Sequence, residues 1–370
     1  MLGAIIGDIA GSTYEVDEVT ALKNKKINYE NRMSILDNNT PLFKENSSYT
    51  DDTVLTAAVA SAIMTDGDYY RVLKEFGNRE VNLGLDKYGR SRFGKGFCEW
   101  LKSDTIGESY GNGCAMRVSP IANYYDNINK ILKETRLSTC TSHNHMESLE
   151  ATMAVSMCIY LAKTKRPKEV IKKHIENIIG YDLNFDLNDL QHNYKFTSKA
   201  KNSVPQAIYC FLVSDNFEDA IRKAISIGGD SDTIAAITGS IAEAYYGIEE
   251  KLIIEVKKYL PEYIINIIKD FYKEIGKIEI NQLLTSRNIS KQEFFDFVKD
   301  RLKCYPISIL AETNKVEFTE EKAILNDIKL LCTRVEDGDF MLKNILEVLE
   351  LFKKLDTIYE EKKHVKEIKK

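Results

Sequence analysis

Two short acidic clusters carry the sequence's clearest chemistry: Thr50-Asp51-Asp52 and Asp230-Ser231-Asp232-Thr233. Each stands directly ahead of a run with helical periodicity. Aspartate is a common helix N-cap, stabilised there by the helix dipole by about 0.3–1 kcal/mol. Taken alone, either cluster reads as a cap or as a ligand set. Taken together, they point further. A cap uses one side-chain oxygen, whereas each cluster offers two carboxylates and neighbouring hydroxyls. Four converging carboxylates would repel one another unless neutralised. Magnesium, manganese and calcium prefer such oxygen donors and would relieve the repulsion. Gly228-Gly229 gives the backbone freedom to turn sharply before Asp230. The spacing is not that of an EF-hand, which needs a third acidic position and a glutamate at loop position 12. Five histidines with no i, i+4 pair suit a zinc hydrolase poorly.

Helices must position these clusters. From Thr53, the residues Val54, Leu55, Ala58, Val59, Ala62 and Ile63 form one apolar stripe that ends before Asp66-Gly67. A second helix begins near Ser148, is apolar almost all round, and closes at Arg166-Pro167. A third begins near Thr233 and runs to Gly247. Alanine-rich faces in the first and third would let helices approach closely. The expected fold class is all-α, with functional loops at helix ends. Between Glu80 and Pro120, glycines and aromatics crowd together and predict a long functional loop region. Pro261 opens a further helical stretch. From Thr319 the pattern predicts a helical hairpin turning at Glu336-Asp337-Gly338-Asp339.

The 370 residues are 44% hydrophobic and 29% charged, an ordinary globular balance. A net charge of −5, with no long basic stripe outside the C-terminal tail, argues against a duplex nucleic-acid binder. Seven scattered cysteines without a CxxC pair predict reduced thiols and a cytoplasmic setting. The opening MLGAIIGDIAGS lacks a positive leader and is interrupted by Asp8, so it reads as part of the folded domain rather than a signal peptide or membrane span.

The sequence resembles the ADP-ribosylglycohydrolase family through four segments in order: GAIIGDIAGSTYE (Gly3–Glu15), YTDDT (Tyr49–Thr53), SYGNGCAMRVSPI (Ser109–Ile121) and GGDSDTIAAITGSIAEAYYG (Gly228–Gly247). Ser142-His143-Asn144-His145 falls between the last two, where the family has a similar segment. The resemblance implies a compact orthogonal helical catalytic domain over residues 1–265, followed by a helical C-terminal extension over 266–370. It implies two Mg2+ (or Mn2+) ions held by Thr50, Asp51, Asp52, Asp230, Asp232 and Thr233, with Asp51 and Asp52 counted among the catalytic residues. Glu15 matches a glutamate on a mobile flap and would act as acid, base or ribose-orienting group. The Ser109-Tyr110-Gly111-Asn112-Gly113 loop would offer backbone N–H groups to a diphosphate. Gly94 would border that diphosphate. Met116 and Tyr110 would line the nucleotide pocket, although Tyr110 also reads as core. His143 would lie near substrate or serve the fold. Asp8 would buttress the site or satisfy buried backbone groups.

The function this implies is metal-dependent cleavage of the glycosidic bond between ADP-ribose and an acceptor, with ADP-ribose released. The acceptor stays open: a protein side chain, a nucleic-acid base or a small ester. Clustered aspartates also fit a two-metal phosphohydrolase acting on a nucleotide, and the loops alone would fit a non-catalytic ADP-ribose-binding module. The C-terminal extension is expected to contact a protein partner or a second copy of the chain.

Overall fold

The computed structural model describes residues 1–15, 25–285, 291–302 and 320–336, with parts of 347–358. The chain divides into two compact units, Met1–Leu284 and Thr285–Lys370. Among the described residues there is no β-strand, only the isolated bridges Glu108↔His143 and Gly111↔Lys199. The all-α expectation is met.

The helices that frame the site are α1 (Leu2–Gly11), α2 (Asp51–Met64), α3 (Met146–Lys163), α4 (Ala200–Leu212), α5 (Phe217–Ser226) and α6 (Ser231–Tyr246). Helix α6 is the centre. Every residue from Ser231 to Ala244 is buried, and α1, α3, α4 and α5 pack around it. A helix apolar on all sides has no stable place except inside others. Its internal hydroxyls are satisfied locally: Thr238 donates to the Ala207 carbonyl and Ser240 to that of Ile237.

Helix α1 packs most extensively on α6. Gly3, Gly7 and Gly11 recur every fourth residue and so share one face. A Cβ on Gly7 would stand 2.1 Å from the Ala235 carbonyl oxygen, and one on Gly11 would stand 2.5 Å from that of Ser231. Backbone meets backbone along this seam, and no side chain larger than hydrogen fits. The start of α1 is closed by buried groups from later in the chain. Glu243 accepts from the Gly3 amide at 2.9 Å and from the Met1 amine at 2.8 Å. The Tyr272 hydroxyl accepts from the Leu2 amide at 2.8 Å and itself donates to Glu243. Burial alone would raise the Glu243 carboxyl, but the amino-terminal charge, Lys277 and these bonds bring it down to about 2.

Tyr272 lies on helix Glu262–Glu274, which buries Ile264, Ile268, Phe271 and Tyr272 and packs on α2. The expected boundary at residue 265 therefore falls inside a helix of the first unit, which runs on to Leu284. The region expected as one long loop from Glu80 to Pro120 also differs. Helix Tyr69–Leu83 extends into it, and a short helix, Lys95–Leu101, interrupts it. Phe97 and Leu101 of that helix press against Gly77, and this packing overrides a glycine-rich sequence. In the second unit, helix Glu320–Glu336 matches the first arm of the expected hairpin. Its turn at 337–339 and the start of its second arm lie outside the described residues.

The α1–α6 seam generates a prediction. Gly7→Val should lower the thermal midpoint by several degrees, because overpacking of this kind costs about 1–3 kcal/mol or more. Calorimetry or circular dichroism melting would show it, and an unchanged midpoint would refute the seam's role.

Candidate active site

The acidic clusters meet at the N-terminal end of α6. Helix α2 begins at Asp51, and its cap is Thr50, whose hydroxyl accepts from the Asp52 amide at 3.3 Å. Asp230 holds the N-cap position of α6 but makes no side-chain capping bond. Apart from the Asp232 carboxylate, which accepts its neighbour Thr233's amide at 2.9 Å, the cluster carboxylates are not spent on helix ends. Gly228 and Gly229 both take positive φ, +76° and +74°, where a side chain would be strained. That turn delivers Asp230 and Asp232 to the same side.

Asp8 of α1 lies beneath them, fully buried. It accepts from the Thr50 amide at 3.0 Å, the Thr50 hydroxyl at 2.7 Å, the Thr53 amide at 3.0 Å and the Thr53 hydroxyl. It thus caps α2 from another helix and fixes the 50–53 turn. Asp52 Oδ2 accepts from Thr233 Oγ1 at 3.2 Å, joining the two clusters directly. Asp52 Oδ1 is buried without a hydrogen-bond partner among the described residues. Asp230 Oδ2 accepts from the Asn112 side-chain amide at 2.7 Å.

Two groups of carboxylates result. Oxygens of Asp8, Asp52 and Asp232 lie within 4.8 Å of one another, as do those of Glu15, Asp230 and Asp232. Asp232 belongs to both. Such crowding resists ionisation. Burial first, then the charge of Asp232, pushes Asp8 up to about 7 despite its four hydrogen bonds. Burial and the neighbouring aspartates also raise Asp51, Asp52 and Asp230 well above the usual carboxylate range. For Glu15 the charge of Asp232 leads, followed by burial and then Asp230 and Asp51, and its carboxyl rises to about 9. The flap expected around Glu15 falls largely on residues 16–24, outside the described residues.

Above the clusters opens a cavity of about 430 Å³, bordered by Glu15, Thr50, Asp51, Asp52, Asp230, Asp232 and Thr233. A second cavity of about 310 Å³ adjoins it, with Ser109, Gly111 and His143 in its wall. Asp51, Gly94, Asn112, Gly113 and Met116 border both, so the two form one cleft. Together they have the size of a small-molecule ligand site.

Some expectations need correction. Tyr110 borders neither cavity and is not core. It is half exposed, edge-on to His145 at 5.8 Å and beneath Lys199. Its loop is pinned outward by the bridge from Gly111 to Lys199. The loop also has fewer free amides than its glycines suggested. The Ser109 amide donates to the Ser142 carbonyl, Gly111 to Ser109 Oγ, and Asn112 to the Ser198 carbonyl. Asn112 acts through its side chain on Asp230 instead. Met116 takes a long contact from Thr233 Oγ1 at 3.9 Å to its sulfur.

Other residues of the cleft escaped the sequence reading. Arg117 is fully buried beside the smaller cavity, and its one signal is a lone cation inside the apolar run from Cys114 to Ile121. Arg90 and Arg92 stand at the rim of the larger cavity, paired with Asp86 at 2.9 Å and Glu80 at 3.4 Å. Nothing in the sequence separates them from surface charges.

Comparison with known proteins identifies the family. The family described as ADP-ribosylglycohydrolase matches residues 1–280. The chain is 27% identical to ADP-ribosylhydrolase ARH3 of Mus musculus, over 68% of this chain and 83% of that protein. It is 23% identical to the ADP-ribosyl-dinitrogen-reductase glycohydrolase of Rhodospirillum rubrum, over 54% of this chain and 70% of that protein. A solved structure described as an ADP-ribosylglycohydrolase-related protein complex is similar with a TM-score of 0.49 at 21% identity, covering 76% of this chain and 94% of that one. The family match runs through both acidic clusters, the Ser109–Ile121 loop and nearly all of the first compact unit, and the chain belongs to the ADP-ribosylglycohydrolase family of enzymes.

Proposed function

We propose that this enzyme hydrolyses the glycosidic bond between ADP-ribose and an acceptor, releasing ADP-ribose, with two Mg2+ or Mn2+ ions bound at the acidic clusters. The carrying observation is the pair of carboxylate groups that share Asp232, together with the buried and unpartnered Oδ1 of Asp52. Carboxylates held this close are costly unless cations or protons neutralise them. The donor set is all oxygen, which suits hard divalent cations. Thr50, Asp51, Asp52, Asp230, Asp232 and Thr233 would hold them. Bound cations would orient the ribose hydroxyls and acidify the attacking water.

The chain's own residues do the rest. Asp8 fixes the Thr50–Thr53 turn, and Asn112 aims Asp230. The larger cavity seats the ribose with its anomeric carbon toward Glu15. Glu15, beside Asp230 and Asp232, moves the proton that glycosidic cleavage requires. Its raised pKa keeps a proton available until cations lower the local negative charge. The smaller cavity takes the rest of the nucleotide. Thiols at Cys98, Cys114, Cys140, Cys158 and Cys210, none of them in a disulfide, support a reducing, cytoplasmic setting. No helix among the described residues is long and apolar enough to cross a membrane.

Asp51→Asn and Asp230→Asn should each abolish turnover while leaving the far-ultraviolet circular dichroism of the wild type. Chromatography of the products should show ADP-ribose. AMP or phosphate as the main product would favour the phosphohydrolase reading instead, and wild-type turnover of either variant at limiting cation would remove the ligand assignment. A panel of arginine-, serine- and base-linked ADP-ribosyl substrates would identify the acceptor.

The raised carboxyls also fix a pH dependence. A carboxyl with a raised folded pKa binds its proton more tightly in the folded state. Its contribution to stability is full below the unfolded pKa and is lost as pH rises through the folded one. For Asp8 that window runs from 3.8 to about 7, and for Glu15 from 4.5 to about 9. The cation-free protein should therefore lose stability as pH rises across this range. Added Mg2+ or Mn2+ should raise the thermal midpoint more at pH 8 than at pH 5. Equal shifts at both pH values would contradict the cluster as the binding site.

A further inference from the structure

The wall of the smaller cavity contains a buried polar chain that the proposed chemistry leaves unused. The Arg117 guanidinium, fully buried, donates through Nη2 to Ser142 Oγ at 2.7 Å. Ser142 Oγ lies 2.7 Å from His143 Nδ1. Both Ser142 and His143 are buried. Among the described residues no carboxylate pairs directly with Arg117, and its Nε and Nη1 have no hydrogen-bond partner.

The order of donors along this chain is determined. A guanidinium carries only N–H donors, so Ser142 Oγ must accept from Arg117. The serine then has one hydroxyl proton to place. Among the described residues, His143 Nδ1 is the one further atom bonded to this oxygen. Were Nδ1 protonated, two donors would face Ser142 and the hydroxyl proton would be left buried and unpaired, which costs free energy. The low-cost arrangement is Arg117 N–H to Ser142 O, and Ser142 O–H to His143 Nδ1. The imidazole proton then sits on Nε2.

Nε2 faces the loop that borders the cavity. It would be 3.2 Å from a Cβ placed on Gly113 and 3.8 Å from one on Gly111. It makes no hydrogen bond within the protein among the described residues. The other charged groups bordering this cavity are Asp51 and Glu108. Burial, and then the charge of Arg117, holds His143 well below the usual histidine range, so the ring is neutral.

We infer that Arg117 and Ser142 lock His143 in the neutral Nε2–H tautomer, making it a fixed hydrogen-bond donor to an oxygen of the nucleotide bound in the smaller cavity. Arg117 and Ser142 are positioning residues, and His143 is the one that touches ligand. A neutral donor in place of an imidazolium binds a ligand oxygen without adding a second buried cation beside Arg117. The loop glycines serve the same end, because a methyl at position 113 would press on the ring. The ligand's identity rests on the ADP-ribosyl reading above, whereas the tautomer does not.

The test uses the full chain labelled with 15N-histidine, in long-range 1H–15N correlation spectra at pH 7 without ligand. His143 is assigned by the signal lost in His143→Gln. The expected wild-type signature is a protonated-type shift at Nε2 and an unprotonated-type shift at Nδ1. Ser142→Ala should abolish that bias, and Ser142→Thr, which keeps the hydroxyl, should restore it. ADP-ribose affinity measured by calorimetry should fall up to about tenfold in Ser142→Ala, the scale of one hydrogen bond. A wild-type His143 that is charged or protonated at Nδ1 would overturn the inference, as would a Ser142→Ala protein with the wild-type signature. If the signature is present but ADP-ribose does not bind, the relay stands and the ADP-ribosyl reading fails.

Discussion

The approach of α1 to α6 is the constraint from which the site follows. Three glycines on one face of α1 let its backbone lie against the carbonyls of Ser231, Ala235 and Gly239. Only at that separation does Asp8, one residue after Gly7, come within 4.8 Å of Asp232. Asp8 then reaches across to the start of α2 and caps it. One carboxylate of α1 is thus bonded to the start of α2 and stands beside Asp232 at the start of α6. A protein pays in stability for gathering like charges in a buried place, and here the packing seam is what holds them together.

The crowding has a chemical purpose only if something neutralises it. The hydroxyls of Thr50 and Thr233 bond to the same carboxylates, but they donate too few hydrogen bonds to offset the burial of so many acids. Asn112 adds one more donor at Asp230. What is left over is a cavity floor crowded with carboxylates, one of whose buried oxygens, Asp52 Oδ1, has no partner among the described residues, with Glu15 at its edge. The adjoining cavity differs: beside Asp51 and Glu108 its wall holds a buried cation, a neutral histidine and glycines.

Much of this was legible in the sequence because it rests on local rules. The Thr-Asp-Asp and Asp-Ser-Asp-Thr clusters precede apolar runs of helical period, so helix starts and acidic sites could be read together. The Gly228-Gly229 turn was readable for the same reason. The packing seam was not. Glycine in a helix reads first as a weak helix former, and its value at positions 3, 7 and 11 appears only when the partner helix is known. Asp8 was visible as an acid in an apolar stretch, but its partners lie more than forty residues away. Asn112 and Tyr110 were placed by the family resemblance of their loop, which says nothing about where side chains point. One sends its amide to Asp230 and the other turns outward. Arg117, Ser142 and His143 are linked only through the fold.

The closure of α1 has a further consequence, for the order in which the protein assembles. The Gly3 amide waits for Glu243, and the Leu2 amide for Tyr272, partners 240 and 270 residues further along the chain. Contacts this distant in sequence carry the largest loop-closure cost and form late. During synthesis α1 emerges before α6, and its packing surface does not exist until α6 has been made. An apolar helix of ten residues must remain unpacked on α6 until more than two hundred further residues are made. The carboxylates therefore gather only when the first unit is nearly complete, so a partly made chain carries no working site.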